Sequence, residues 1–150
     1  MASTILPDDV AAIAVDELTP PASGYGTGVR TRFHLTLTDG RRRRVCVDVY
    51  GNGGGTPYVT RAGQRAYLSA AVEAMAYDGA AGYMSDERAR ELAAMWQSPG
   101  AVGRELATLA STGEATADLA DDIRATMAGV DPFTVDYFQL AALLGYALSR

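Results

Sequence analysis

Two runs of alternating residues flank an Asp-Gly pair and constrain the fold more than any other feature of this chain. In residues 29–37 and again in 45–49, apolar or β-branched residues occupy every second position. Such alternation is typical of strands with one buried face, and Asp39-Gly40 is a strong signal for a tight turn between them. The sequence therefore predicts an antiparallel β-hairpin.

The length of the hairpin loop follows from the requirement that apolar residues share one face. A two-residue loop would set Leu35 and Leu37 opposite arginines. A three-residue loop over 38–40 instead places Gly40 in the left-handed conformation that this turn geometry requires. We therefore predict a three-residue loop, which pairs Phe33 with Val45, Thr31 with Val47, and Val29 with Val49.

Apolar residues beyond position 60 recur at helical spacing. We expect four to five helices. The first has an apolar stripe from Leu68 to Ala76 and ends at Gly79, and the second is capped by Ser85 and carries Ala89, Leu92, Met95 and Trp96. The others start at Ser98-Pro99, carry the stripe Leu119, Ile123 and Met127, and open at Asp131-Pro132 with Phe133 in the last helix. Asp8 and Asp9 favour a short N-terminal helix over residues 7–18, and 58–60 suggest a third strand.

Early strands followed by grouped helices indicate the α+β class. We expect one domain over residues 1–150, mostly β up to residue 60 apart from the N-terminal helix, and helical from 61 onward. A small antiparallel sheet of two or three strands would pack against a C-terminal helical bundle, and the apolar last helix would lie at its centre.

Composition excludes several kinds of chemistry. All thirteen basic residues are Arg, and there is one His and one Cys. The chain therefore cannot form a lysine Schiff base, a P-loop with its lysine, or an internal disulfide. A structural zinc site needs about four Cys or His ligands. We predict no metal and no cofactor, and we expect a binding protein rather than an enzyme.

Basic charge is concentrated in the hairpin. Residues 24–65 carry a net charge of +6, between segments of −4 and −7. The predicted binding face comprises Arg30, Arg32, His34, Arg41, Arg42, Arg43, Arg44 and Tyr50. Guanidinium groups bind carboxylates and phosphates bidentately. The first hypothesis is docking on an acidic protein surface; the alternatives are nucleic-acid binding by the same two-stranded ribbon and a merely solvated strand face.

A third functional hypothesis rests on Cys46 and His34. In the predicted register these residues are diagonal neighbours on adjacent strands. A thiol beside an imidazole is a nucleophile–base arrangement, so a small Cys/His enzyme is the second alternative to a binding protein.

Two features of the helical half also suggest contacts. Glu114, Asp118, Asp121 and Asp122 predict an acidic helix face, which is either a secondary binding surface or a solvated one. In the last helix, Ala141-x-x-x-Gly145 permits close approach of another helix, from the same bundle or from a second subunit of a homo-oligomer.

Abundant Ala, Gly and Arg with no Lys suggest a GC-rich genome. The N-terminal residues lack the basic and apolar stretches of a signal peptide, and no apolar run is long enough to span a bilayer. We expect a cytoplasmic protein that binds no membrane, of the accessory or inhibitor type that phages or plasmids encode.

Overall fold

The fold is α+β, as the grouping of strands and helices predicts. We describe it from a computed structural model covering residues 4–19, 29–49, 58–61, 64–66, 69–80, 84–96 and 103–149. At 17–19, 29–31, 45–49, 58–61 and 64–66 the description is of the backbone alone.

In the part of the chain that the structure describes, five strands form one antiparallel sheet in the order of the chain. They are β1 (Val10–Thr19), β2 (Val29–Leu37), β3 (Arg42–Val49), β4 (Tyr58–Arg61) and β5 (Gln64–Ala66). The prediction of two or three strands was too low, because β1 and β5 were not recognised. The hairpin strands β2 and β3 therefore lie inside the sheet, with a neighbour on either side.

The predicted hairpin register is confirmed. Val29 pairs with Val49, Thr31 with Val47 and Phe33 with Val45. Gly40 has φ of 88° in the three-residue loop. The same register sets Leu35 opposite Arg43, so an arginine is paired across from the face that carries buried Phe33 and Leu35 at the loop end.

The predicted N-terminal helix is wrong. Pro7–Asp9 form a single 3-10 turn, and Val10–Thr19 form strand β1. β1 pairs with β2 through Val10↔Leu37 and Ile13↔Leu35, with irregularities in register near Ala12 and Asp16. Burial of the β-branched residues Val10 and Ile13 against the leucines of β2 outweighs the helical preference of the intervening alanines.

Five α-helices follow the sheet within the described ranges. They are α1 (Ala70–Ala74), which continues as a π-helical segment (Met75–Ala80), then α2 (Asp86–Met95), α3 (Arg104–Thr112), α4 (Leu119–Met127) and α5 (Val135–Leu148). Among the described residues no helix has the length and apolar character needed to cross a membrane.

Several helix boundaries differ from the predicted ones. Helix α3 begins at Arg104, and the predicted start at Ser98-Pro99 lies outside the described residues. Helix α5 begins after Thr134, whose hydroxyl oxygen accepts a hydrogen bond from the Tyr137 N–H at 3.3 Å. Phe133 therefore precedes the helix and is 92% exposed instead of buried. Likewise Met95 of α2 is exposed, whereas Ala89 and Leu92 are buried as predicted.

Helix α5 is the centre of the helical layer, as predicted. All seven residues of its segment Leu140–Tyr146 are buried, and the helix contacts α1, the π-helical segment, α2, α4 and β1. A helix buried on all sides must be apolar around its circumference, which explains its uninterrupted run of apolar residues.

The Ala141-x-x-x-Gly145 motif is used within the chain. A Cβ at Gly145 would lie 2.0 Å from the carbonyl oxygen of Met75, and one at Gly79 would lie 2.1 Å from that of Ala142. The prediction that Gly79 ends a helix is therefore wrong. Gly79 lies within the π-helical segment and lets this segment approach α5. Since that segment occupies this face of α5, the face is not open to a second subunit.

Candidate functional site

The end of the β2–β3 hairpin is held by hydrogen bonds within its own loop. The Gly40 N–H donates to the Leu37 carbonyl at 2.9 Å, and the Leu37 N–H donates to the Arg41 carbonyl at 2.8 Å. Glycine at position 40 satisfies the positive φ that a residue with a Cβ adopts reluctantly. The Thr38 N–H donates to the Asp9 carbonyl at 2.9 Å, which anchors the loop to the 3-10 turn before β1.

Asp39 organises the first arginine after the loop. Its carboxylate accepts hydrogen bonds from the Arg41 N–H at 2.9 Å and from Arg41 Nε at 2.7 Å. The backbone bond from Arg41 is the main reason why the pKa of Asp39 is lowered, and the positive charges of Arg41 and Arg43 act in the same direction. The Arg41 guanidinium is thereby partly neutralised and oriented.

The three arginines that follow differ in exposure. Arg42 and Arg44 are exposed, whereas Arg43 is partly buried and donates from Nη1 to the Arg42 carbonyl at 3.0 Å. Within the described part of the chain, neither Arg42 nor Arg44 forms an ion pair. We call residues 41–44 the arginine tip.

The other predicted members of the basic face lie further along the sheet, beside acidic residues. In register, Arg30 lies opposite Asp48 of β3, and Arg32 lies opposite Glu17 of β1. Arg32 is exposed but already interacts within the chain. Of this predicted face, the arginines whose side chains are described and pair with no carboxylate therefore lie in the arginine tip. Tyr50, its eighth member, lies outside the described residues.

His34 is oriented by a residue that the sequence did not identify. Its Nδ1 contacts the Oδ2 atom of Asp16. The pairing of β1 with β2 shifts in register between Val15 and Glu17, and Asp16 lies at that shift. Carboxylate contact with Nδ1 fixes the orientation of an imidazole ring. The proximity of Asp16 could not be foreseen because β1 itself was predicted to be a helix.

Cys46 lies where the hairpin register predicted. It is opposite Arg32 on β2 and opposite Tyr58 on β4, and His34 is opposite Arg44. Cys46 and His34 are therefore diagonal neighbours along adjacent strands, as expected.

The predicted acidic helix face is not a single surface. Asp122 is partly buried and accepts hydrogen bonds from the N–H groups of Gly103 at 2.7 Å and Leu106 at 2.9 Å, so it caps the N-terminus of α3. Glu114 lies in the connection before α4, Asp118 at its N-cap and Asp121 in its first turn, all three exposed. Without Asp122 these carboxylates form no common site.

A cleft in the helical layer was not foreseen. It encloses about 280 Å³ between the π-helical segment, α2 and the beginning of α5. Its lining residues are Asp78, Met84, Arg88, Leu92, Val135, Phe138, Gln139 and Ala142. Because they come from three separate segments, no local pattern in the sequence points to this cleft.

Within the described ranges, no three His, Cys, Asp or Glu side chains are grouped so that they could hold a metal ion. Comparisons with protein-family models, with curated proteins and with solved structures yield no match to this chain.

Proposed function

We propose that this chain is a binding protein whose arginine tip docks on an acidic protein surface. The observation that carries the proposal is the state of Arg42 and Arg44, two exposed guanidinium groups on one strand that pair with no carboxylate of the described chain. Guanidinium groups are planar donors that match carboxylates bidentately and lose little freedom for each bond formed.

The rigidity of the loop supports a binding role. Asp39 fixes Arg41, and the anchor from Thr38 to Asp9 holds the loop to the rest of the sheet. Less conformational freedom is then lost on association, because the arginine side chains project from a backbone that is already ordered.

Nucleic acid is the less favoured partner. A ribbon that enters a major groove must stand clear of its surroundings, but β2 and β3 have β1 and β4 as neighbours. Asp8 and Asp9 are exposed in the turn to which the loop is anchored, and the chain carries a net charge of −5. These carboxylates would repel the phosphates of a long duplex more strongly than they would repel the local charges of a protein surface.

Salt titration with two probes tests the choice of partner. An Asp/Glu-rich peptide represents the acidic protein surface, and a mixed-sequence DNA duplex represents nucleic acid. We expect the peptide to bind at about 50 mM salt and the duplex not to be retarded under the same conditions. Binding of the duplex with a steep log–log dependence on salt, without binding of the peptide, would show that the proposal is wrong.

The contact between Asp16 and His34 favours one second candidate, a reactive thiol at Cys46. A carboxylate-oriented imidazole and a cysteine at a diagonal position of the adjacent strand supply the residue types of nucleophilic catalysis. In that case Cys46 would react with iodoacetamide faster than a model thiol, and Asp16→Asn would slow the reaction. Equal rates for the protein and the model thiol exclude this candidate.

A further inference from the structure

The cleft between the π-helical segment, α2 and α5 combines an apolar interior with charged groups at its mouth. Met84, Leu92 and Ala142 are buried around it, and Phe138 is partly buried. Val135 also lines the cleft although 71% of its surface is exposed. Apolar surface of this kind is favourable to cover with an apolar ligand.

The helices that form the cleft are held in place. The hydroxyl group of Tyr146 on α5 donates to Oδ1 of Asp86 on α2 at 2.6 Å. Gly79 also brings the π-helical segment against the backbone of α5 at Ala142. The cleft is therefore shaped by fixed contacts between its walls, and a ligand would not have to create it.

The charges at the mouth do not cancel. Arg88 is paired with Glu91, with 3.2 Å between Nη1 and Oε2. Asp78 has an exposed side chain, and none of the described residues pairs with it or donates a hydrogen bond to it. Desolvation raises the pKa of Asp78 and also that of the nearby Glu73, and the negative charge of Asp78 raises the pKa of Glu73 further. The unmatched charge at the cleft is therefore negative.

We propose that this cleft binds a small amphipathic amine, with the apolar part of the ligand against Leu92 and Phe138 and its ammonium group against the Asp78 carboxylate. A cation there would pair with the Asp78 carboxylate, which has no partner among the described residues, and would also reduce the repulsion between Asp78 and Glu73. The volume of about 280 Å³ lies at the lower end of small-molecule sites, so the apolar part is about the size of one aromatic ring.

Other ligand classes fit the same cleft less well. An anion would have to compete with Glu91 for Arg88 and would face both Asp78 and Glu73. A neutral ligand of the same shape would gain the apolar contacts and leave the carboxylate unpaired. The three classes can thus be distinguished by ligands that differ only in the terminal group.

Isothermal titration of the full chain with 2-phenylethylamine, 2-phenylethanol and phenylacetate makes this comparison. We expect the amine to bind about tenfold or more tightly than the alcohol, and phenylacetate to bind most weakly. An alcohol that binds as tightly as the amine, a preference for phenylacetate, or no heat with the amine at millimolar concentration would overturn the proposal.

Asp78→Asn is the decisive variant. Its control is Glu87→Gln, which also removes one negative charge, but from an exposed residue of α2 that does not line the cleft. We expect Asp78→Asn to lose the preference for the amine over the alcohol, and Glu87→Gln to keep it. An unchanged preference in Asp78→Asn would refute the role of the carboxylate. Should Asp78→Asn fail to fold, amide chemical shifts of Leu92 and Phe138 in the native chain decide, because the amine must perturb them.

Discussion

The Cα of Gly145 in α5 lies against the backbone of Met75, so close that an added Cβ would be 2.0 Å from the Met75 carbonyl oxygen. The opposing atoms belong to backbone and cannot rotate away as a side chain would. The contact joins the central helix to the π-helical segment that forms one wall of the cleft. Glycine at this position is therefore a requirement of packing.

Gly145→Ala should destabilise the fold by about 1–3 kcal/mol or more, because the two helices must separate to admit one methyl group. Urea unfolding measures the loss. Gly129→Ala is the matched control, since a Cβ there would lie 3.7 Å from the Thr126 carbonyl oxygen, an ordinary contact. Equal stabilities of the two variants would contradict the packing described.

Asp122→Ala should cost about 1–2 kcal/mol, because two N–H groups at the start of α3 would lose their acceptor. Asp121→Ala is the control from the next position. The Asp121 side chain is 81% exposed, and its Oδ1 lies 3.7 Å from Nη1 of Arg124, a long i,i+3 ion pair. We therefore expect the loss of Asp121 to cost less than about 0.5 kcal/mol. Thermal unfolding compares the two, and a larger effect at Asp121 would mean that Asp122 is not the cap.

Asp78→Asn should stabilise the fold slightly at neutral pH. Desolvation raises the folded-state pKa of Asp78 above its ordinary value of 3.8, so the folded state holds its proton more tightly than the unfolded state. The contribution of Asp78 to wild-type stability therefore falls as pH rises from about 3.8 through the raised pKa, and the asparagine variant escapes this loss. We expect a gain below about 1 kcal/mol, because solvent screens an exposed side chain.

Urea unfolding of wild type and Asp78→Asn across about pH 3 to 7 tests this expectation. The difference in stability should vanish at the acid end and reach its full value at neutral pH. Gln139→Ala, a change at a cleft residue that does not titrate, should shift the stability by the same amount at every pH. A difference between wild type and Asp78→Asn that grows toward acid pH would reverse the sign and contradict the account.

The hairpin was predictable because its information is local. Alternation in β2 and β3, together with glycine at position 40, specified the loop length and thereby the register of Phe33 with Val45. Strand β1 was missed for the opposite reason. Its segment contains several alanines and follows two aspartates, and its strand conformation depends on pairing with β2 some twenty residues later in the chain.

The candidate sites were predictable only in part. A run of four arginines after the loop is evident from the sequence, and Asp48 opposite Arg30 follows from the hairpin register. Glu17, which lies opposite Arg32, belongs to β1, whose position was unknown. The sequence predicts Asp122 only as part of an acidic helix face, because its hydrogen-bond partners, Gly103 and Leu106, belong to another helix and its N-cap. The cleft around Leu92 and Phe138 exists only once three segments are brought together by tertiary packing.

The most direct test of the arginine tip compares one charge-reversed pair with a matched pair elsewhere. Fluorescence anisotropy of a labelled Asp/Glu-rich peptide is measured with wild type, with Arg42→Glu/Arg44→Glu, and with Arg88→Glu/Arg104→Glu, whose four arginines are all exposed. Both variants change the net charge equally, so only the location of the change differs. The proposed function predicts at least about tenfold weaker binding for the first pair alone; equal weakening by both pairs, or none by the first, would contradict it.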